Sequence, residues 1–275
     1  MLKSMINPCL SRFFGNISWK KTKLVLGFML IMLLAFSTGL MAQTSTPPAS
    51  GDGSSGDPYQ IATLNNLYWI TQNSGEWGMY FEQTADFNAS TTSGWDGGAG
   101  FSPIGNSSVK FTGSYDGQGN TIDALFINRS STDNIGLFGF ANGSSAVISN
   151  LGLTNTNITG KGKTGGLIGW CEYGVKVEFC YTTGNITGEN SYSGGLVGLL
   201  YEINSEVNNC YSLANVSGTQ FCGGLVGSHY AHNGGPNSYI RNSYSTGTVV
   251  SSIDDLGGLV GWRVNSTNSI IENCF

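Results

Sequence analysis

From residue 106 onward the chain consists of short apolar stretches separated by Gly, Asn and Ser. None is long enough to show a helical period, and β-branched residues recur in them, so the pattern predicts strands. The stretches also return on a fixed beat. GGLIG stands at 165–169, GGLVG at 194–198, 223–227 and 257–261, and a shortened IGLFG at 135–139. With the leucine as ruler (Leu137, Leu167, Leu196, Leu225, Leu259), the steps are 30, 29, 29 and 34 residues. A second signature keeps the same time: VEFCYTTGNITG at 177–188, VNNCYSLANVSG at 207–218 and IRNSYSTGTVVS at 240–251. ISNLGLTNTNITG at 148–160 is an earlier relative, and IENCF at 271–275 opens another.

Three short strands per unit, at this period, describe one rung of an all-β fold: a right-handed parallel β-helix. Each strand would pair with its counterpart one rung away, so backbone groups are satisfied between rungs. A leucine-rich-repeat horseshoe needs an L-x-x-L-x-L frame and usually a helix per unit, neither of which is visible, and a propeller blade is longer. The leucines would stack inside. The next position (Phe138, Ile168, Val197, Val226, Val260) would point the other way in a regular strand. The flanking glycines allow tight corners and close approach of the neighbouring rung.

GGLVG followed by xNCYSxG resembles the GLUG-motif repeats of bacterial exported proteins. YQIATLNNLYWI (59–70), FSPIG (101–105) and FTGSYDGQGNTIDALFI (111–127) extend the match, which covers roughly residues 57–275. Such repeats occur in large adhesin-like surface proteins and beside immunoglobulin A peptidase domains. The resemblance implies a β-helical extracellular region and no single reaction. No HExxH is present.

The ends differ from the repeats. Lys20, Lys21 and Lys23 precede an uncharged run, Leu24–Met41, with small residues after it, so 1–42 reads as a cleaved signal peptide. Residues 43–57, QTSTPPASGDGSSGD, read as a disordered linker. Residues 58–105 should form an N-terminal cap and first irregular rung, with Thr63 capping a helix from Leu64 to about Asn73. Leu64, Leu67, Tyr68 and Thr71 would share its inner face. Residues 106–275 hold the GLUG-type repeats. The last unit stops inside its signature, without a C-terminal cap, so a longer protein is expected.

Charge narrows the partners. Beyond residue 42 there are seven Lys+Arg against 17 Asp+Glu, a net charge of −10. That field repels phosphate backbones and argues against nucleic acid. Without a polybasic segment, no membrane insertion is expected once the signal is removed. The localisation expected is secreted or bacterial cell surface.

Catalytic chemistry finds little support. Glu178 and Glu272 share a column, but Asn208 and Arg241 stand between them, whereas glycoside hydrolysis needs two facing carboxylates. Asp254 and Asp255 are adjacent, and Asp116 sits in an Asp-Gly turn. Cys180, Cys210 and Cys274 share a column with Ser243 and Leu151, which predicts a small buried position holding free stacked thiols, with adjacent-rung disulfides as the alternative in an exported protein. Cys171 and Cys222 are singletons. His229 and His232, in a lengthened segment, are expected in an exposed loop. No catalytic residue, metal or cofactor is therefore predicted. The Asn-x-Ser/Thr triplets at Asn157, Asn185 and Asn215 follow the repeat, and Thr159, Thr187, Ser217 and Ser251 approach a hydroxyl row.

Binding is better supported. Unit length varies mainly between GLxG and xNCY, and insertions on one flank of a solenoid often form its recognition face. Trp170, Tyr173, Tyr201, Tyr230 and Trp262 lie there and are the expected ligand-binding residues, for an extracellular glycan or a surface protein. Tyr181, Tyr211, Tyr244 and Phe275 form a second aromatic column of open direction. The predicted function is an exported, non-catalytic module for adhesion. The alternative is the β-helical part of a carbohydrate-active enzyme or peptidase whose catalytic domain is absent.

Overall fold

The computed structural model describes residues 43–275 except 233–234, 254 and 265–266. The expected signal peptide, residues 1–42, lies outside the described residues, as does Asp254.

The chain forms a parallel β-helix of about 6 turns. Three parallel sheets run along it. The first has eight strands in chain order, from Tyr59–Ile61 and Tyr80–Gln83 through Ser114–Asp116, Val147–Ser149, Lys176–Glu178, Glu206–Asn208 and Ser238–Arg241 to Ser269–Glu272. The third has five: Phe138–Asn142, Ile168–Glu172, Val197–Tyr201, Val226–Tyr230 and Val260–Arg263. The second, between them in each rung, includes the long strands Gly152–Gly160, Tyr181–Gly194 and Asn215–Gly223. The register follows the repeat: Val177 pairs with Ile148 and Val207, and Ile168 with Phe138 and Val197.

Leu137, Leu167, Leus 196 and 225 are fully buried in one stack, with Leu259 packed against its end. Their neighbours Phe138, Ile168, Val197 and Val226 are buried too, which corrects the expected alternation. The strand is not regular there, because the three glycines of GGLxG turn the corner around these residues. A Cβ on Gly194 would lie 1.9 Å from the Val197 carbonyl oxygen. One on Gly195 would lie 2.2 Å from the Gly224 carbonyl oxygen of the next rung. One on Gly198 would meet the Lys163–Thr164 backbone at 2.6 Å, where that segment crosses the sheet. Real side chains never approach so closely, so the pentapeptide is a corner that only glycine builds.

The interior changes along the axis. Its largest fully buried side chains, Phe81, Phe101, Phe111, Tyr115 and Phe138, crowd the N-terminal rungs, where Tyr115 donates to Gln83 Oε1 at 3.0 Å. Later rungs bury Ser193, Ser228, His229, Ser238 and Ser243.

Helix α1 spans Leu64–Gln72, and Thr63 Oγ1 accepts from the Asn66 amide at 3.2 Å, as the cap predicted. Its inner face is centred on Asn66, Leu67 and Ile70. Leu64 and Tyr68 are only partly buried, and Ile70 was missing from the expected face. Segment 43–57 differs from a free linker. Asn66 Nδ2 donates to the Thr46 and Pro47 carbonyls at 3.1 and 3.2 Å, and the Tyr80 amide donates to Gly53 O at 3.0 Å. Backbone polar groups, rather than apolar side chains, fix this segment, and composition does not register them.

Candidate functional site

The outer face of the third sheet carries two columns. Phe140, Trp170, Leu199, Ser228 and Trp262 align in one. Asn142, Glu172, Tyr201 and Tyr230 align in the other. Between them Ala141, Cys171, Leu200 and His229 point inward and are fully buried. This period-two alternation shows why the aromatics sit where they do. Trp170, Tyr201, Tyr230 and Trp262 belong to strands rather than to the expected loops, and the length variation begins after them. Tyr173 alone of the five lies in a turn, at φ 57°, 48% exposed.

The rings are packed against one another. Trp170 stacks on Phe140 with centroids 4.2 Å apart and planes 15° apart. Tyr201 meets the Trp170 edge at 6.1 Å and stacks on Tyr230 at 4.9 Å. Trp262 stacks on Phe221 at 4.8 Å, and Phe221 on Tyr192 at 5.2 Å. Each such pair contributes roughly 0.5–1.5 kcal/mol beyond burial. The structure therefore joins Trp170, Tyr201 and Tyr230 into one stack and places Trp262 in a second with Phe221 and Tyr192, with many ring faces already covered. Among the described residues no ring stacks on Tyr173, and Trp262 is 36% exposed.

Phe140, Tyr192, Phe221, Lys110 and Lys163 escaped the sequence reading. Lys163, Tyr192 and Phe221 each stand just before a small residue and Gly-Gly, at φ 50°, 67° and 55°. That shared offset was the available signal. From this left-handed position the side chain reaches across the third sheet. Lys163 Nζ lies 4.7 Å from the Trp170 ring centroid, and Lys110 Nζ 4.7 Å from that of Phe140.

Charge is interleaved with the rings. Glu172, nearly buried, accepts from Lys110 Nζ at 3.2 Å and Asn142 Nδ2 at 3.0 Å. Glu202, also nearly buried, faces His232 Nδ1 at 3.5 Å. The Tyr201 phenol is pushed up to about 12, first by burial and then by its hydrogen bond to Glu202. It remains a neutral donor at any ordinary pH.

The other candidate groups resolve differently. Tyr181, Tyr211, Tyr244 and Phe275 point outward from the second sheet as a ladder with centroid spacings of 4.8, 5.1 and 5.3 Å. Planes within 5° of parallel cover the inner ring faces, leaving Phe275, 81% exposed, at the end. Beside it lies an open groove of about 510 Å³, lined by Asn185, Thr187, Asn215, Ser217, Thr248 and Val250. Thr187 and Ser217 Oγ atoms are 3.1 Å apart, but Ser217 pairs with Val250 rather than Ser251, which ends the expected hydroxyl row.

His229 is a correction. It is fully buried in strand Val226–Tyr230, with Nε2 3.1 Å from Ser238 Oγ; only His232 is exposed. The inward parity of its strand position, one rung beyond Leu200 in the same column, puts it there. Cys180 and Cys210 stack as free thiols, the Cys180 amide donating to Cys210 Sγ at 3.4 Å. Burial pushes Cys210 up to about 12 and Cys180 well above the usual thiol value. Both stay protonated and unreactive. Glu178, Asn208, Arg241 and Glu272 align as expected, and Arg241 reaches Glu272 at 3.2 Å. Among the described residues no group of three His, Cys, Asp or Glu is placed to hold a metal, and no helix is long and apolar enough to cross a membrane.

No protein-family model matches the chain. The resemblance to GLUG-motif proteins therefore rests on the residues quoted for it. Halomucin of Haloquadratum walsbyi is 38% identical over 173 residues, 61% of this chain and 2% of that protein. A candidate Gly-rich membrane protein of Evansella cellulosilytica is 37% identical over 115 residues, 42% of this chain and 13% of that protein. The chain thus spans a small part of the relatives it matches. Among solved structures, a candidate immunoglobulin A1 protease from Bacteroides ovatus superposes with a TM-score of 0.55 at 19% identity. That match covers 82% of this chain and 77% of the other, and it supports the shared fold.

Proposed function

We propose that this chain is an exported, non-catalytic repeat module of a secreted or cell-surface protein, acting in adhesion by binding extracellular glycan. The observation that carries the reading is the outer face of the third sheet. There Tyr173 and Trp262 offer accessible aromatic surface beside the packed Trp170, Tyr201 and Tyr230. Exposed rings stack on the apolar faces of sugars, while Tyr201 and the flanking carboxylates supply hydrogen bonds to hydroxyls. The rigid register of the rungs holds these groups at fixed spacing, so little ordering entropy is lost on binding. The names halomucin and Gly-rich membrane protein accord with an exported repeat, and the acidic balance argues against nucleic acid.

A second reading, the β-helical part of a peptidase or carbohydrate-active enzyme, is favoured by the likeness to the Bacteroides ovatus protein. The one His–Ser contact described, His229 with Ser238, is sealed from substrate. The test is a glycan array probed with the purified protein and with Tyr173→Ala and Trp262→Ala. Specific glycan binding, weakened by these substitutions, is expected. Binding indifferent to both, or cleavage of immunoglobulin A1 by the protein, overturns the proposal.

A further inference from the structure

We propose that the ligand of the third-sheet face is an acidic polysaccharide, whose anionic group pairs with Lys163 above Trp170; this rests on the glycan-binding reading. Beyond residue 42 the chain has four lysines, Lys110, Lys161, Lys163 and Lys176, against 17 acidic residues. Lys110 is engaged by Glu172 at 3.2 Å, and Lys161 lies 3.9 Å from Asp133. Lys163 has no carboxylate within ion-pair distance among the described residues; its contact is the Trp170 ring. Rungs further along place Tyr192 and Phe221 at this position, and all three share a left-handed backbone. The turn belongs to the rung, so the lysine is the local choice. It puts an unneutralised ammonium at one end of a file of rings.

Trp170 adds an independent sign. Its Nε1 is buried and has no acceptor among the described residues. Buried donors are ordinarily satisfied, and an orphan asks for a partner. A carboxylate or sulfate oxygen would supply one as the Lys163 ammonium swings off the ring to meet it. The sugar ring carrying that oxygen would extend toward Tyr201 and Tyr173. The net negative charge of the chain does not forbid this. At physiological salt the screening length is about 8 Å, so a contacting ammonium outweighs scattered distant acids.

The test measures binding of the purified protein to polygalacturonate, dextran sulfate and neutral dextran, at low and high salt. An acidic polymer should bind more tightly than neutral dextran and weaken with salt. Lys163→Gln should cost about tenfold, the scale of one charge-assisted hydrogen bond, and Lys163→Arg should restore it. Lys176→Gln, which removes a lysine from the first sheet, should leave binding unchanged. Preference for one acidic polymer assigns the carboxylate or the sulfate. Equal binding of neutral dextran, or equal loss in Lys176→Gln, overturns this inference and leaves the glycan-binding module standing. Absence of binding to any glycan overturns both.

Discussion

Gly195 and Gly258 hold the same place in pentapeptides two rungs apart, yet their surroundings differ. A Cβ on Gly195 would lie 2.0 Å from Ser212 Oγ and 2.2 Å from Gly224 O, whereas one on Gly258 would meet nothing within 4 Å. Gly195→Ala should therefore cost roughly 1–3 kcal/mol, the usual price of overpacking. Gly258→Ala should be neutral or slightly stabilising, since alanine restricts the unfolded chain. Urea unfolding of the two variants checks the contrast. At His229, burial and then the nearby Arg263 charge hold the imidazole down to about 3 from an ordinary 6.5. Protonation therefore favours the unfolded chain. The stability tied to a neutral His229 is complete above pH 6.5 and is lost as pH falls toward 3, by about 1.4 kcal/mol per unit. His229→Leu, which copies Leu200 of the preceding rung, should flatten the decline between about pH 6.5 and pH 5, before carboxylates titrate. An unchanged slope in denaturant titrations over that window would contradict the burial assigned here.

At the scale of the element, each piece is held by a different kind of contact. Helix α1 depends on its cap, and Thr63→Ala should cost about 1 kcal/mol while raising amide exchange across Leu64–Gln72. If exchange rises equally in the third sheet, the helix is not an independent lid. The aromatic ladders show why exposure and availability are separate properties. Tyr211 is only half-buried, yet its two ring faces lie against Tyr181 and Tyr244. On the third sheet the same stacking serves partly to stabilise the face and leaves the ring edges and Tyr173 as its accessible aromatic surface.

For the whole molecule, the rung is the unit of cooperation. Each rung touches chiefly its neighbours, so stability behaves as a sum of rung and interface terms. Leu196 sits in the middle of the buried stack. Leu196→Ala should destabilise by roughly 2–5 kcal/mol. Its effect on hydrogen exchange should decay with distance, strongest around Leu167 and Leu225 and weakest at Phe81. A uniform effect would mean that the solenoid unfolds as one block.

The sequence by itself determined the period, the parallel strands, the leucine stack, the capping threonine and the columns of Cys180 and Tyr181. These follow from local rules: side-chain alternation, turn chemistry, and identical positions recurring at one spacing. The tertiary structure alone decided which way irregular positions face. Val197 and Leu196 are both inside because glycine corners break the strand period, and His229 is inside because its strand reaches past the apparent loop. Segment 43–57 is ordered by backbone bonds to α1 and to the following strand, which composition cannot express. Lys163 and Trp170 meet because a left-handed turn folds one sheet's end over another. Such meetings depend on where the backbone turns in space, a quantity set by the packing of neighbouring rungs and carried by no single stretch of residues.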